Sequence, residues 1–312
     1  MLKVMTWLWA QPGGRATYTA HHVNIWAEMV DRHLRMPHTL ACVTDMPEGL
    51  DGNIEVVTPP DDYRDTVIPT WQADKPQCFR RLSLFRPDAA DIFGPRFVSM
   101  DMDCIIEGEL DTLFNRPHDF MMYRGTHRSR PYNGSMVMMT AGARPQVFTE
   151  FTPHKAIMAG RRFLGSDQAW ISQVLGFGEK TWSEADGVVG YRSAYRSPKP
   201  PLLTFFFGNP KPWDLVAEGN PWAVENYRLS GRGGRALYLG TGQNLWSDVD
   251  DAFHRGPVHG IIASPEAAKH WPRKPLAIVP TESQARRLAI MHGFDSLEVC
   301  GPDRFQLDQA AA

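Results

Sequence analysis

The stretch Phe97-Val-Ser-Met-Asp-Met-Asp-Cys-Ile-Ile106 decides the reading of this chain. Residues 96–100 form an apolar run that reads as a buried strand, and the run ends in two carboxylates. Strand residues alternate faces, so Asp101 and Asp103 are expected to point the same way. The end of such a strand is where open α/β sheets bind ligands. Two carboxylates there make a hard oxygen site suited to Mg²⁺ or Mn²⁺ carrying a diphosphate. A cation held there neutralises charge building on a departing nucleoside diphosphate.

The flanks supply the rest of an α/β pattern. Residues 2–9 read as a first strand, stopped by Pro12-Gly13-Gly14. Val23, Ile25, Trp26, Met29, Val30 and Leu34 recur near helical spacing and predict a helix over 20–34. Residues 40–44 and 54–57 read as strands, and 76–85 and 107–114 as helices. Strands are expected at 119–123 and 135–140, bracketing a polar loop. A helix is expected over 166–175 with Ser166 as N-cap. Residues 186–213 are rich in Pro and aromatics and read as irregular. Strands alternating with helices predict an α/β fold with a mostly parallel sheet.

The segment 225–234 is polar, glycine-bearing and without periodicity, and reads as a linker. Beyond it the pattern restarts, with strands near 236–240, 259–263, 276–279 and 297–300 and helices between them. The expected division is a domain over 1–230 and a small parallel α/β domain over 231–312.

Composition excludes several classes. The 312 residues are 43% hydrophobic and 22% charged, too apolar for a disordered chain. The net charge of −2 creates no global field for polyanions. Cys42, Cys78, Cys104 and Cys300 lie far apart, against a disulfide scaffold and in favour of a reducing cytoplasm. No stretch approaches the ~20 apolar residues of a membrane span. The short apolar run at the N-terminus does not read as a secretory signal.

Five further segments accompany the Asp101-Met-Asp103 strand: Leu8-Trp-Ala-Gln11, Phe79-Arg-Arg-Leu-Ser-Leu-Phe85, Tyr132-Asn-Gly-Ser-Met136, Leu164-Gly-Ser-Asp-Gln-Ala-Trp170 and Phe207-Gly-Asn-Pro-Lys-Pro-Trp213. Together, over about residues 1–215, they resemble the metal-dependent glycosyltransferases of the GT-A fold, close to family 8 and related bacterial and phage enzymes. The resemblance implies a single Rossmann-like mixed sheet and a nucleotide-diphospho-sugar donor, with UDP-sugar the expected class. It implies that Trp9 and Gln11 bind the nucleotide and that Arg80 or Arg81 lies near the diphosphate. It puts Asn133 beside the sugar and Trp213 in the closing segment.

Side-chain chemistry then assigns roles. Asp103 is the expected main metal ligand, with Asp101 on the metal or the ribose. Lys211 puts positive charge on the leaving diphosphate. Asp167 and Gln168, near a helix start, suit hydrogen bonds to sugar hydroxyls, as does Asn133. An acid at a helix start also interacts with the macrodipole. One departure stands out: many relatives carry a His ligand in the closing segment, where this chain has Phe205, Phe206 and Phe207. A Phe cannot ligate a metal.

Arg124, Arg128 and Arg130, with Arg161 and Arg162, and Arg192, Arg196 and Lys199 interleaved with Tyr191 and Tyr195, form an expected basic and aromatic rim. It suits attraction of the donor diphosphate, or a phosphorylated or nucleic-acid acceptor such as a hydroxylated DNA base. Two other classes stay open: a non-catalytic nucleotide-sugar or carbohydrate-binding protein on the same scaffold, and a nucleotidyltransferase.

Overall fold

The computed structural model describes residues 1–11, 13–14, 17–127, 129–229, 234–242, 245–271 and 274–301. The chain divides into two compact units, Met1–Asn209 and Pro210–Ala312.

The first unit is built on strands β1 (Leu2–Leu8), β2 (His38–Thr44), β3 (Ile54–Val57), β4 (Arg96–Met100), β6 (Phe120–His127), β7 (Arg130–Thr140) and β8 (Thr181–Trp182). They form one seven-stranded sheet in the order β3-β2-β1-β4-β7-β6-β8. All neighbours pair in parallel except β7, which runs antiparallel to both β4 and β6. This is the mostly parallel α/β sheet expected from the sequence.

The residues explain the layering. β1 and the end of β4 are buried almost throughout, as strands covered on both faces must be. The helix Ala20–His33 buries Val23, Trp26, Ala27 and Val30, one stripe of a 3.6-residue repeat. Its start is fixed by a capping box: the Thr19 N–H donates to His22 Nδ1 at 3.0 Å.

Three expectations are corrected. The helix expected over 76–85 is a 3-10 helix, Phe79–Phe85. The polar stretch expected as a loop between two strands is the outer part of a hairpin, with Arg124 opposite Tyr132 and His127 opposite Arg130. The pairing shifts register between Met122 and Tyr123 and again between Arg124 and His127, which breaks the alternation a sequence reading relies on. At Gly125 a Cβ would lie 1.3 Å from the Arg130 carbonyl oxygen, so only glycine allows this approach.

The stretch expected to be irregular holds two short strands, β9 (Val188–Gly190) and β10 (Leu203–Phe205). With β5 (Cys104–Ile106) they form a second sheet, β10 central, parallel to β9 and antiparallel to β5.

The second unit carries β11 (Arg235–Leu239), β12 (Gly260–Ala263), β13 (Ala277–Ile278) and β14 (Ser296–Cys300). They form an all-parallel sheet in the order β13-β12-β11-β14, with helices Leu245–His254, Pro265–His270 and Glu282–Met291 as crossovers. Pro212–Glu218 and Pro221–Asn226 also belong to this unit. The Arg287 guanidinium donates to the Ala217 carbonyl from Nε (3.2 Å) and Nη2 (2.6 Å), and the Leu229 N–H donates to the Met291 carbonyl at 2.9 Å. Part of the expected linker, 230–233, lies outside the described residues. Among the described residues no helix is long and apolar enough to cross a membrane.

Phe97 on β4 is fully buried, its ring 5.7 Å from that of Phe93. Phe97→Ala is expected to lower unfolding stability by about 3–5 kcal/mol, read from the denaturant midpoint.

Candidate functional site

Within the first unit the two carboxylates stand where β4 ends and the second sheet begins. The Asp101 N–H donates to the Ser135 carbonyl of β7 at 2.8 Å. The Phe206 N–H, just past β10, donates to the Asp103 carbonyl at 2.9 Å. Cys104 already belongs to β5. The Asp101-Met102-Asp103 link is thus pinned by the main sheet at one end and by the small sheet at the other.

Each carboxylate has a distinct partner. Arg81 Nη1 donates to Asp101 Oδ1 at 2.6 Å, and Arg81 Nη2 donates to Asp167 Oδ2 at 3.2 Å. One guanidinium therefore ties the strand end to the first turn of the helix Asp167–Leu175. Burial alone pulls the Arg81 pKa down, but the Asp101 and Asp167 charges more than offset it and hold it well above its ordinary value. Ser166 precedes this helix as expected, but its hydroxyl donates sideways to Asp167 Oδ1 at 3.1 Å.

Gly134 closes this cluster. A Cβ there would lie 3.0 Å from Arg81 Nη2 and 3.3 Å from Asp167 Oδ2, so a side chain on β7 would crowd the ion pair. Next to it, Asn133 Oδ1 accepts from the Ser135 N–H at 2.9 Å, which orients its amide.

Asp103 is met from the other side by Tyr18, whose hydroxyl donates to Asp103 Oδ2 at 2.9 Å. Burial, then the Asp103 and Asp101 charges, drive the Tyr18 pKa far up, so it remains a protonated donor. Burial and the same two carboxylates hold the Cys104 thiol well above its usual range.

Four of the sequence segments thus converge: the Asp101–Asp103 strand end, Arg81 from the 3-10 helix, Asn133 and Gly134 from β7, and Asp167 from its helix. The other expected residues have partners of their own. Arg80 is nearly fully buried and turned away, donating to Asp45 Oδ2 (3.0 Å) and to the Pro60 (2.9 Å) and Pro59 (3.2 Å) carbonyls. It braces the loops after β2 and β3 and is not placed with the carboxylates. Gln168 Nε2 donates to the Leu164 carbonyl at 3.3 Å. Trp9 packs edge-on against Trp7, with ring centroids 5.8 Å apart, and the Gln11 carbonyl accepts from the Gly14 N–H at 2.9 Å. Lys211 and Trp213 belong to the second unit. Lys211 is the N-cap of Pro212–Glu218, its N–H donating to Asp214 Oδ2 at 2.8 Å, and the Trp213 ring lies 6.2 Å from Tyr227.

Of the basic rim, Arg124 is exposed on β6. Arg130 lies over the Trp71 ring at 5.5 Å. Arg161 and Arg162 end the helix Pro153–Arg162. Arg192 Nη2 donates to the Asn209 carbonyl at 2.6 Å. The Tyr191 ring stacks on Phe206 at 4.7 Å. Arg128 and the side chains of Tyr195 and Arg196 lie outside the described residues.

Asp101 and Asp103 supply two hard oxygen donors. Among the described residues no group of three or more His, Cys, Asp or Glu is arranged to hold a metal ion. Two carboxylates fit a Mg²⁺ or Mn²⁺ that takes its remaining ligands from water and a substrate diphosphate. The residue that sequence reasoning missed is Tyr18. Its only signal is its place, one residue before the helix N-cap Thr19, in the loop after β1.

No protein-family model matches the chain, and no curated protein matches it. Solved structures do. The galactosyltransferase LgtC, in complex with donor and acceptor sugar analogs, is similar at 11% identity over 73% of this chain and 97% of that one, with a TM-score of 0.49. The glycosyltransferase GlyE of Streptococcus pneumoniae TIGR4 is similar at 12% identity over 98% of this chain and 88% of that one, with a TM-score of 0.46.

The Thr19–His22 cap beside Tyr18 generates a pH prediction. Burial is the largest cause and lowers the His22 pKa from 6.5 to about 4. The unfolded chain binds this proton below about pH 6.5 and the folded chain only below about 4. Acid therefore favours unfolding across that window, and stability rises with pH. His22→Gln, which cannot titrate, is expected to show a shallower loss of unfolding free energy between those pH values than the parent chain.

Proposed function

We propose that the chain is a metal-assisted glycosyltransferase of the GT-A type. It takes a sugar from a nucleoside-diphosphate sugar, of the uridine class, and passes it to an acceptor. The observation that carries this reading is the Arg81 bridge between Asp101 and Asp167. It joins a carboxylate suited to a cation and diphosphate to a carboxylate suited to sugar hydroxyls, at the C-terminal end of a parallel strand.

Each residue then has work suited to its chemistry. Asp103 and Asp101 would hold a Mn²⁺ or Mg²⁺, which when bound would neutralise charge on the departing diphosphate. Asp167, fixed by Arg81 and Ser166, accepts hydrogen bonds from sugar hydroxyls. Asn133 offers its amide Nδ2, its Oδ1 being turned to Ser135. Gln168 adds a further polar group one residue along the helix from Asp167. Trp9 and Gln11, at the end of β1, are the candidates for the nucleotide itself. The four dispersed cysteines fit a reducing cytoplasm.

The test is nucleoside diphosphate release from a panel of sugar nucleotides, with and without Mn²⁺. Release that depends on the sugar nucleotide supports the reading. Pyrophosphate release would instead identify a nucleotidyltransferase, and binding without turnover a non-catalytic sugar-nucleotide receptor. Asp103→Asn is expected to cut turnover by about 100-fold or more, the worth of several kcal/mol of charge stabilisation, with the circular dichroism spectrum unchanged. Retained turnover would contradict the site.

A further inference from the structure

Resting on the donor reading, we infer that Tyr18 is the positioning residue that sets the cation affinity of the site, acting through Asp103. The two carboxylates are held by donors of different kinds. Asp101 is bound to a guanidinium, a full positive charge 2.6 Å away that competes with any cation for the same carboxylate. Asp103 accepts from the Tyr18 phenol at 2.9 Å, a donor that bears on the rotation of its carboxylate.

The bond is built into the fold. Tyr18 leads directly into Thr19, the N-cap whose box with His22 fixes the start of the helix Ala20–His33. Its ring meets His22 edge-on, with centroids 6.3 Å apart. On the opposite side the Asp103 main chain is fixed by the Phe206 N–H. The side chain and backbone of Asp103 are thus anchored from two separate elements. Donors that hold a ligating carboxylate in this way control metal affinity, and their loss typically costs about 10–100-fold.

The experiment uses the full chain and Tyr18→Phe, which keeps the ring and removes only the hydroxyl. Mn²⁺ binding is read by electron paramagnetic resonance at saturating uridine diphosphate, and uridine diphosphate binding is read separately in chelator. The Mn²⁺ dissociation constant is expected to rise about 10–100-fold, with nucleotide affinity in chelator unchanged and the melting temperature within about 2–4 °C of the parent. In the background of Asp103→Asn, adding Tyr18→Phe is expected to cost no further Mn²⁺ affinity, since both act through one group.

Unchanged Mn²⁺ affinity in Tyr18→Phe overturns the inference. So does an equal loss of nucleotide affinity in chelator, which would make Tyr18 a nucleotide contact. Additive losses in the double variant overturn it as well. These outcomes leave the donor reading intact. Failure of the parent chain to bind uridine diphosphate with Mn²⁺ at all would instead remove the donor reading and this inference with it.

Discussion

The Arg81 guanidinium between Asp101 and Asp167 is the interaction on which the site depends. Two carboxylates from elements far apart in sequence face the same guanidinium, Asp167 buried and Asp101 partly exposed. Removing Arg81 leaves the buried Asp167 charge without this partner, which is destabilising. The neighbours of Arg81 are arranged to keep it in place. The 3-10 helix turns by about 120° per residue, which sends Arg80 to the loops after β2 and β3 and Arg81 to the carboxylates. Gly134 leaves the room that a side chain on β7 would take.

The second constraint is the way the strand end is held. Asp101 is tied to β7 through Ser135, and Asp103 to the segment after β10 through Phe206. A three-residue step between sheets allows little backbone freedom, so the two sheets set where its carboxylates start from. This also gives Phe205, Phe206 and Phe207 a role. Phe205 and Phe206 are buried, Phe207 stacks on Tyr123, and Phe206 stacks on Tyr191, so this segment is an aromatic wall whose backbone anchors the acidic step. On the proposed reading, a cation held by two carboxylates would take the remainder of its coordination from water and the donor diphosphate.

Much of this was legible in the sequence. The apolar run into Asp101-Met102-Asp103 marked the strand end, and period and turn residues marked β1, β2, β3 and the second unit's strands. Asp167, Asn133 and Arg81 were each flagged by their segments. What was not legible has physical reasons. Arg80 and Arg81 are identical residue types, and only the step of about 120° between neighbours on a 3-10 turn separates the loop brace from the partner of Asp101 and Asp167. The Arg124–Arg130 stretch reads as a loop because two register shifts scramble its alternation. Pro212–Glu218 and Pro221–Asn226 precede any compositional break, so their packing with Glu282–Met291 is a tertiary fact with no local signature. Tyr18 meets Asp103, 85 positions away, through a hydrogen bond that no local pattern records.

The most direct measurement is Mn²⁺-induced line broadening in nuclear magnetic resonance spectra of the isotopically labelled chain with uridine diphosphate bound. The account predicts strong broadening for residues 101–103, 133–135 and 166–168 and for Arg81, because all lie around one cation and its diphosphate. Broadening centred on any other part of the first unit, or none at these residues when uridine diphosphate is bound, would contradict it.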